Sequence, residues 1–319
     1  MQFRTVVEYS KPKFNIGYRD SIISIGSCFA DNIGTYLNDT LFDIIPNPFG
    51  VMYNPISVLE TLQAIRNNKE FKGESLICHN GMFHSMAHHG SFSRPTEQQT
   101  LSLIGEASLK AHNQWKKCTL LLITFGTAWV FRNRANGNIV ANCHKLPSER
   151  FERVLLSVEQ IAERWIEELK QIRIENPTLK VIFTVSPIRH WKDGAHGNQI
   201  SKSTLLLAID KIVQNIPNCD YFPAYEIVMD ELRDYRFYAE DMNHPSSTAI
   251  QYIREQFCLH YMDQPSIELK KRAEQCKRML EHRPLHPDNE EWQKFCVKRD
   301  TLEKSLKMEI ENFRNHGTR

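Results

Sequence analysis

The sequence predicts an α/β fold built on a doubly wound parallel sheet, from three apolar runs separated by helix-like segments. Ile22-Ile23-Ser24-Ile25, Leu120-Leu121-Leu122-Ile123-Thr124-Phe125 and Val181-Ile182-Phe183-Thr184-Val185 show no polar alternation. Strands buried on both faces of a parallel sheet read this way. Between the runs, apolar residues recur at three- and four-residue steps, and alternating strands and helices give a sheet wrapped on both sides. A chain of 319 residues accommodates one large domain with appendages, or two domains. At that size no disulfide or metal staple is needed.

The first apolar run leads into Gly26-Ser27-Cys28-Phe29-Ala30, and Phe29, Ile33, Tyr36 or Leu37, and Leu41 follow at helical spacing. Ser27 thus falls where a strand ends and a helix begins, the place where open α/β sheets bind ligands. It reads equally as a tight turn with a serine N-cap. Residues 42–55 carry three prolines, a glycine and several apolar side chains, an ordered loop. A helix follows over 56–67, with Val58, Leu59, Leu62 and Ile65 on one face. The His-rich stretch 78–93 has no clear period and is irregular or short-stranded, and residues 97–115 return to helix. Ser157-Val158-Glu159-Gln160 is a capping-box pattern opening a helix with Ile161, Ala162, Trp165, Ile166 and Leu169 inward. After the third strand come a helix over about 201–215, a strand-like Tyr221–Tyr225 and a helix over about 246–262. Pro245 fits the first position of that last helix and biases His244 toward extended geometry. From Pro265 the composition shifts to Lys, Glu, Arg and Gln over 265–283 and 288–316, broken at Pro284-Leu285-His286-Pro287. The second run carries Trp292, Phe295, Leu302, Leu306, Ile310 and Phe313 as a packing stripe, so residues 263–319 form a helical hairpin appended to a domain over 1–262. That hairpin packs on the main domain or serves self-association.

Lys plus Arg total 40 against 38 for Asp plus Glu, a net charge of +2. This balance gives no footprint for nucleic acid or an anionic membrane. The eight cysteines stand singly without a C-x-x-C pair, the pattern of free thiols in a reducing compartment. The start, Met1-Gln2-Phe3-Arg4-Thr5-Val6, has no apolar core of a leader, and no apolar run approaches about 18 residues. A cytoplasmic protein is expected, with no cofactor.

One constellation joins distant stretches. Ser27 offers a hydroxyl nucleophile, His244 a base for its proton, and Asp241 an acceptor that fixes the imidazole tautomer. Donors for a developing oxyanion are available at the Ser27 backbone, Gly50 and the Gly126-Thr127 strand end. Cys28 is either a second nucleophile or a buried small side chain. His79, His84, His88 and His89 lack metal-ligand spacing, so no metal is expected. Arg189-His190 follows a strand end and either orients a carboxylate or sugar or makes a structural ion pair.

These residues fall in motifs that resemble the GSCFA family, a branch similar to the SGNH/GDSL hydrolases. Gly26-Ser27-Cys28-Phe29-Ala30 reads as the family's name motif. Asn47-Pro48-Phe49-Gly50 with Tyr53-Asn54-Pro55, Phe83-His84-Ser85 with His88-His89, and Gly126-Thr127-Ala128-Trp129 look like the same family. So do Ser186-Pro187-Ile188-Arg189-His190 with Lys192-Asp193-Gly194, Tyr221–Glu226 and Asp241-Met242-Asn243-His244-Pro245-Ser246. The resemblance covers about residues 20 to 260. It implies a flavodoxin-like three-layer α/β/α sandwich and a serine-esterase layout, with Ser27 as nucleophile, His244 as base and Asp241 as orienter. Gly50 matches the second-block glycine donor. The third block normally reads Gly-x-Asn-Asp, and here Thr127, Asn54 or a histidine of residues 84–89 must replace its asparagine. The expected activity is hydrolysis of an O-acyl carbohydrate or small ester, with Asn54, His84, His89, Trp129, Arg189 and His190 as substrate contacts. An acyltransferase using the same acyl-enzyme, or a binding module with an altered oxyanion hole, are the alternatives.

Overall fold

The structure is a computed structural model that describes residues 4–284 and 289–315. Its first half runs β1 (Ser21–Gly26), α1 (Cys28–Asp39), β2 (Asp43–Pro46), α2 (Pro55–Arg66), the hairpin β3 (Leu76–His79) and β4 (Met82–Ser85), α3 (Glu97–Trp115) and β5 (Leu120–Phe125). A small antiparallel sheet follows, β6 (Trp129–Asn133), β7 (Ile139–Val140) and β8 (Phe151–Leu155). The chain closes with α4 (Val158–Glu175), β9 (Lys180–Val185), α5 (Gly194–Asn215), β10 (Cys219–Tyr221), the short α6 (Ala224–Glu226), α7 (Ser247–Tyr261), α8 (Gln264–Glu281) and α9 (Glu290–Asn315).

The main sheet is parallel, in the order β2-β1-β5-β9-β10. Numbered along the chain these strands are 2-1-3-4-5, the flavodoxin-like order, so the topological switch point lies between β1 and β5. Alternate residues of each strand face opposite helix layers. Ile23, Ile25, Leu121, Ile123 and Phe183 pack with residues of α2, α4 and α5. Ile22, Leu120, Leu122 and Ile182 pack with α1 and α7. Both faces are covered, which is why the strands read as continuous apolar runs. The result is the three-layer α/β/α fold.

Local chemistry explains the boundaries. Ser157 accepts from the Gln160 amide while the Gln160 side chain accepts from the Ser157 amide, so both halves of the capping box form at α4. Asn54 caps α2, with Pro55 in its first turn. The His-rich stretch is the β3–β4 hairpin, turned at Asn80-Gly81 where φ is +48° and +71°. Asn-Gly adopts that left-handed pair at little cost.

Several boundaries differ from the sequence expectation. The helix expected at about 201 begins at Gly194. The strand expected over Tyr221–Tyr225 stops at Tyr221, because Pro223 offers no N–H to continue the ladder, and the chain turns into α6 and a π-helical turn over Ile227–Glu231. Pro245 is not the first helical residue: Ser246 caps α7, accepting from the Ala249 amide. Leu306 and Ile310 of α9 and Leu269, Ala273 and Cys276 of α8 join the core beside α1 and α7. The expected break at Leu285-His286-Pro287 and the chain start Met1-Gln2-Phe3 lie outside the described residues.

Trp165 ties α4 to the sheet and to the start of α2 at one point. Its ring, with no solvent exposure, meets Phe125 at 5.4 Å and Phe183 at 5.3 Å, and Nε1 donates to the Pro55 carbonyl at 3.1 Å. Trp165→Ala should lower unfolding free energy by about 3–5 kcal/mol, through the cavity and the orphaned carbonyl. Urea unfolding measures it, and a loss under about 1 kcal/mol would contradict this packing.

Candidate functional site

At the carboxyl ends of the strands, beside the switch point, lies a cavity of about 660 Å³. Ser27, Tyr53 and Asn54 line it from the first half of the fold, Arg189, His190 and His244 from the second, and Trp129, Phe131 and Arg153 from the small sheet. Ser27 ends β1 and caps α1, its Oγ accepting from the Phe29 amide at 3.3 Å. Capping uses a lone pair and leaves the hydroxyl proton free for a base, so a cap and a nucleophile are compatible roles for one serine. The preceding Gly26 has φ +153°, and a Cβ there would lie 2.2 Å from the Thr124 carbonyl oxygen. Only glycine lets β1 approach β5 this closely before the turn to Ser27.

Asp241 organises the loop that carries His244. Its Oδ1 accepts from the Asn243 and His244 amides, each at 2.9 Å, and Oδ2 accepts from His244 Nδ1 at 2.5 Å. The two backbone donors, then the imidazole, hold the carboxyl down to about 2. The loop is closed by Ala239 N–H donating to the His244 carbonyl at 2.8 Å. His244 is half-exposed. With Nδ1 bound to Asp241, its Nε2 is the nitrogen left for chemistry. Ser27 and His244 line the same cavity, and no hydrogen bond joins their side chains among the described residues.

The strand ends around Ser27 are laced together by backbone polar groups. Gly126 and Thr127 N–H both donate to the Tyr53 carbonyl, at 2.8 and 2.9 Å, and Ser27 N–H donates to the Thr124 carbonyl at 3.3 Å. Gly50 N–H donates to the Asn47 carbonyl at 2.7 Å, and Gly50 packs on His89 away from the cavity. The expected oxyanion donors at the Ser27 backbone, Gly50, Gly126 and Thr127 are therefore all spent on internal carbonyls. Thr127 Oγ1 is likewise engaged, with Ser201 Oγ at 3.0 Å. Asn54 differs: Oδ1 caps α2 at Ser57, one N–H of Nδ2 donates to Ser57 Oγ at 2.9 Å, and its second N–H remains.

His84 and His89 are not in this cavity. His84 pairs with Ser93 Oγ at 2.6 Å and stacks on His144 at 4.7 Å, while His89 caps a short 3₁₀ turn through Ser91. They hold the hairpin and its following loop in place, so the sequence expectation for them as substrate contacts is corrected. Among the described residues no three His, Cys, Asp or Glu side chains cluster to hold a metal ion. Trp129, Arg189 and His190 do line the cavity.

Three contributors were not read from the sequence. Phe131 and Arg153 come from the small sheet, where Arg153 lies over the Trp129 ring at 4.8 Å and forms an ion pair with Asp193. Lys202 is wholly buried beneath the site and donates to the carbonyls of Gly126 and Ser186, each at 2.7 Å. Burial, then Arg189, lowers its amine to about 7. One signal could have found Lys202: its charge sits in register with the apolar residues Leu205, Ile209 and Ile212 of α5.

Fold and site together define an α/β protein with a cavity at its switch point. The chain belongs to the GSCFA family, whose model matches residues 21–257. No curated protein sequence matches it. Among solved structures it is similar to an acetyl xylan esterase (Est2A) from the rumen bacterium Butyrivibrio proteoclasticus, at 12% identity and a TM-score of 0.37, over 80% of this chain and 64% of the other. The chain thus spans just under two thirds of that protein's length, and a likeness this distant carries no argument about activity. No helix among the described residues is long and apolar enough to cross a membrane.

Two imidazoles withdrawn from water, His88 fully and His190 in part, make stability depend on pH. Burial, then Lys202, Arg153 and His244, lowers His190 to about 4. Burial among Phe49, Phe71 and Phe92, then His144 and Lys69, lowers His88 to about 3. Each binds its proton less readily folded than unfolded, where the value is near 6.5, so stability is full above about pH 6.5 and falls as pH drops toward 4. The loss should reach up to about 1.4 kcal/mol per pH unit for each imidazole. Melting temperatures from neutral pH downward should show this slope, shallower in His88→Gln; a pH-independent wild-type melt would refute it.

Proposed function

We propose that the protein is a serine ester hydrolase acting through a Ser27 acyl-enzyme. The observation that carries this reading is the meeting, in one cavity at the switch point, of Ser27 at a strand-to-helix turn with a His244 imidazole whose Nδ1 is held by Asp241. Ser27 Oγ attacks the ester carbonyl as His244 Nε2 takes the hydroxyl proton. Asp241 keeps Nδ1 protonated and stabilises the imidazolium. His244 then protonates the departing alcohol oxygen, the C–O bond breaks, and Ser27 holds the acyl group. Water, deprotonated by the same imidazole, releases the acid and restores the hydroxyl.

The oxyanion is assigned to the α1 N-terminus, with its positive dipole end, and to the second N–H of Asn54. Asn54 would then stand in for the third-block asparagine that the Gly126-Thr127-Ala128-Trp129 segment lacks. The cavity's volume suits a small molecule or a short saccharide, which favours an O-acyl carbohydrate or small ester.

A fluorophosphonate probe should label the wild-type protein and spare Ser27→Ala. Labelling that survives Ser27→Ala moves the reaction to another nucleophile, and no labelling of either protein leaves a binding module. Asp241→Asn should lower kcat by about 10⁴-fold while the fold, read by circular dichroism, is kept. Asn54→Asp retains the cap acceptor and removes the donor; kcat on a p-nitrophenyl acetate-type ester should fall about 10²–10³-fold. An unchanged kcat would remove Asn54 from the oxyanion site.

A further inference from the structure

We infer that the ester this cavity accepts is anionic, with a carboxylate seated against Arg189 and Lys192. The inference rests on the hydrolase reading only for the word ester; the anion site stands on the charges themselves. Arg189, Lys192 and Arg153 line the cavity, and Asp193 is the sole carboxylate among its lining residues. Asp193 is already paired with Arg153. Asp241 lies beside the cavity, its oxygens engaged by His244 and two amides. Arg189 and Lys192 make no ion pair among the described residues; each only faces a ring, Arg189 over Trp191 at 5.6 Å and Lys192 over Phe131 at 5.1 Å. Arg189 Nε is buried with no hydrogen-bond partner. An uncompensated guanidinium edge withdrawn from water is costly, and an anion at that edge removes the cost.

The remaining orphaned atoms say what else the ligand carries. Of the twelve buried side-chain polar atoms without partners among the described residues, five belong to residues lining this cavity: Trp129 Nε1, Arg153 Nε, Arg189 Nε, Asp193 Oδ2 and Asn243 Oδ1. Three are donors that need an acceptor. The Asp193 oxygen accepts only, so it needs a hydroxyl. A hydroxylated acid satisfies both sets, whereas a phosphate dianion offers no hydroxyl donor. Arg's planar fork also matches a carboxylate bidentately. The substrate class is therefore an acylated sugar acid rather than a neutral sugar ester.

Calorimetric titration of the full chain tests this with three probes at low salt: trigalacturonate, neutral maltotriose and inorganic phosphate. Trigalacturonate should bind at least tenfold more tightly than maltotriose, and added salt should weaken it. Arg189→Gln should reduce that affinity tenfold or more, and Lys192→Gln, on an exposed side chain, should reduce it several-fold if Arg189→Gln does not fold. Equal affinity for the two trisaccharides, binding of neither in the millimolar range, unchanged affinity in both variants, or binding of phosphate alone would each overturn the inference. Binding is read without turnover, so the two readings fail separately. Trigalacturonate binding with no fluorophosphonate labelling removes the hydrolase and keeps the anion site; labelling without carboxylate preference does the reverse.

Discussion

The arrangement at the switch point depends on satisfying backbone polar groups where a parallel sheet runs out. Strand ends buried away from water leave carbonyls and amides that must find partners. Here the loop after β2 supplies them. Asn47 Oδ1 accepts from Gly26 N–H at 2.9 Å, Met52 N–H donates to the Gly26 carbonyl at 2.8 Å, and the Tyr53 carbonyl accepts two amides from the end of β5. Lys202 completes the set from below, joining the ends of β5 and β9 through Gly126 and Ser186. The loop after β2 is thereby fixed against both β1 and β5, and with it Tyr53, Asn54 and the wall around Ser27. A buried amine is expensive to hold, and two carbonyl partners at 2.7 Å offset part of that cost.

This lacing has a chemical consequence. The amides at the end of β5, the natural place for oxyanion donors, are consumed in holding the Tyr53 loop. Catalysis of the proposed kind must then draw its oxyanion donors from a side chain and a helix end. The Asn54 amide is oriented by the same two contacts to Ser57 that cap α2. Structure-building and transition-state stabilisation would thus share one residue. The same economy holds at Ser27, which caps α1 with a lone pair and keeps its proton for transfer.

The small β6–β8 sheet gives the cavity its chemical character. The parallel sheet and its turns supply Ser27, while Trp129, Phe131 and Arg153 stand on the added sheet and meet the loop that carries Arg189 to Asp193. The Arg153–Asp193 ion pair ties the added sheet to the start of α5. A substitution in this sheet would therefore reshape the cavity wall without touching the groups proposed to react.

What the sequence determined by itself was local and periodic. Unalternating apolar runs at 22–25, 120–125 and 181–185 fix strands buried on both faces, and the spacing along 158–175 and 290–315 fixes helices, because burial on one stripe needs that period. Ser27 at a strand end and Asp241 three residues before His244 were also readable, since the carboxylate reaches the imidazole within one turn of chain. Family motifs set the order of the blocks. Only the tertiary structure decided which groups share the cavity. His84 and His89 sit in the same kind of motif as Arg189 and His190, yet Ser93, Ser91 and His144 hold them outside it. Gly126 and Thr127 carried suitable amides, and the Tyr53 carbonyl, 73 and 74 residues away in sequence, took them. Lys202 falls in register with the apolar residues of α5, but its two carbonyl partners, like the Asp193 partner of Arg153, come from distant elements. Which group a charge meets depends on which elements pack over it, and no local pattern encodes that.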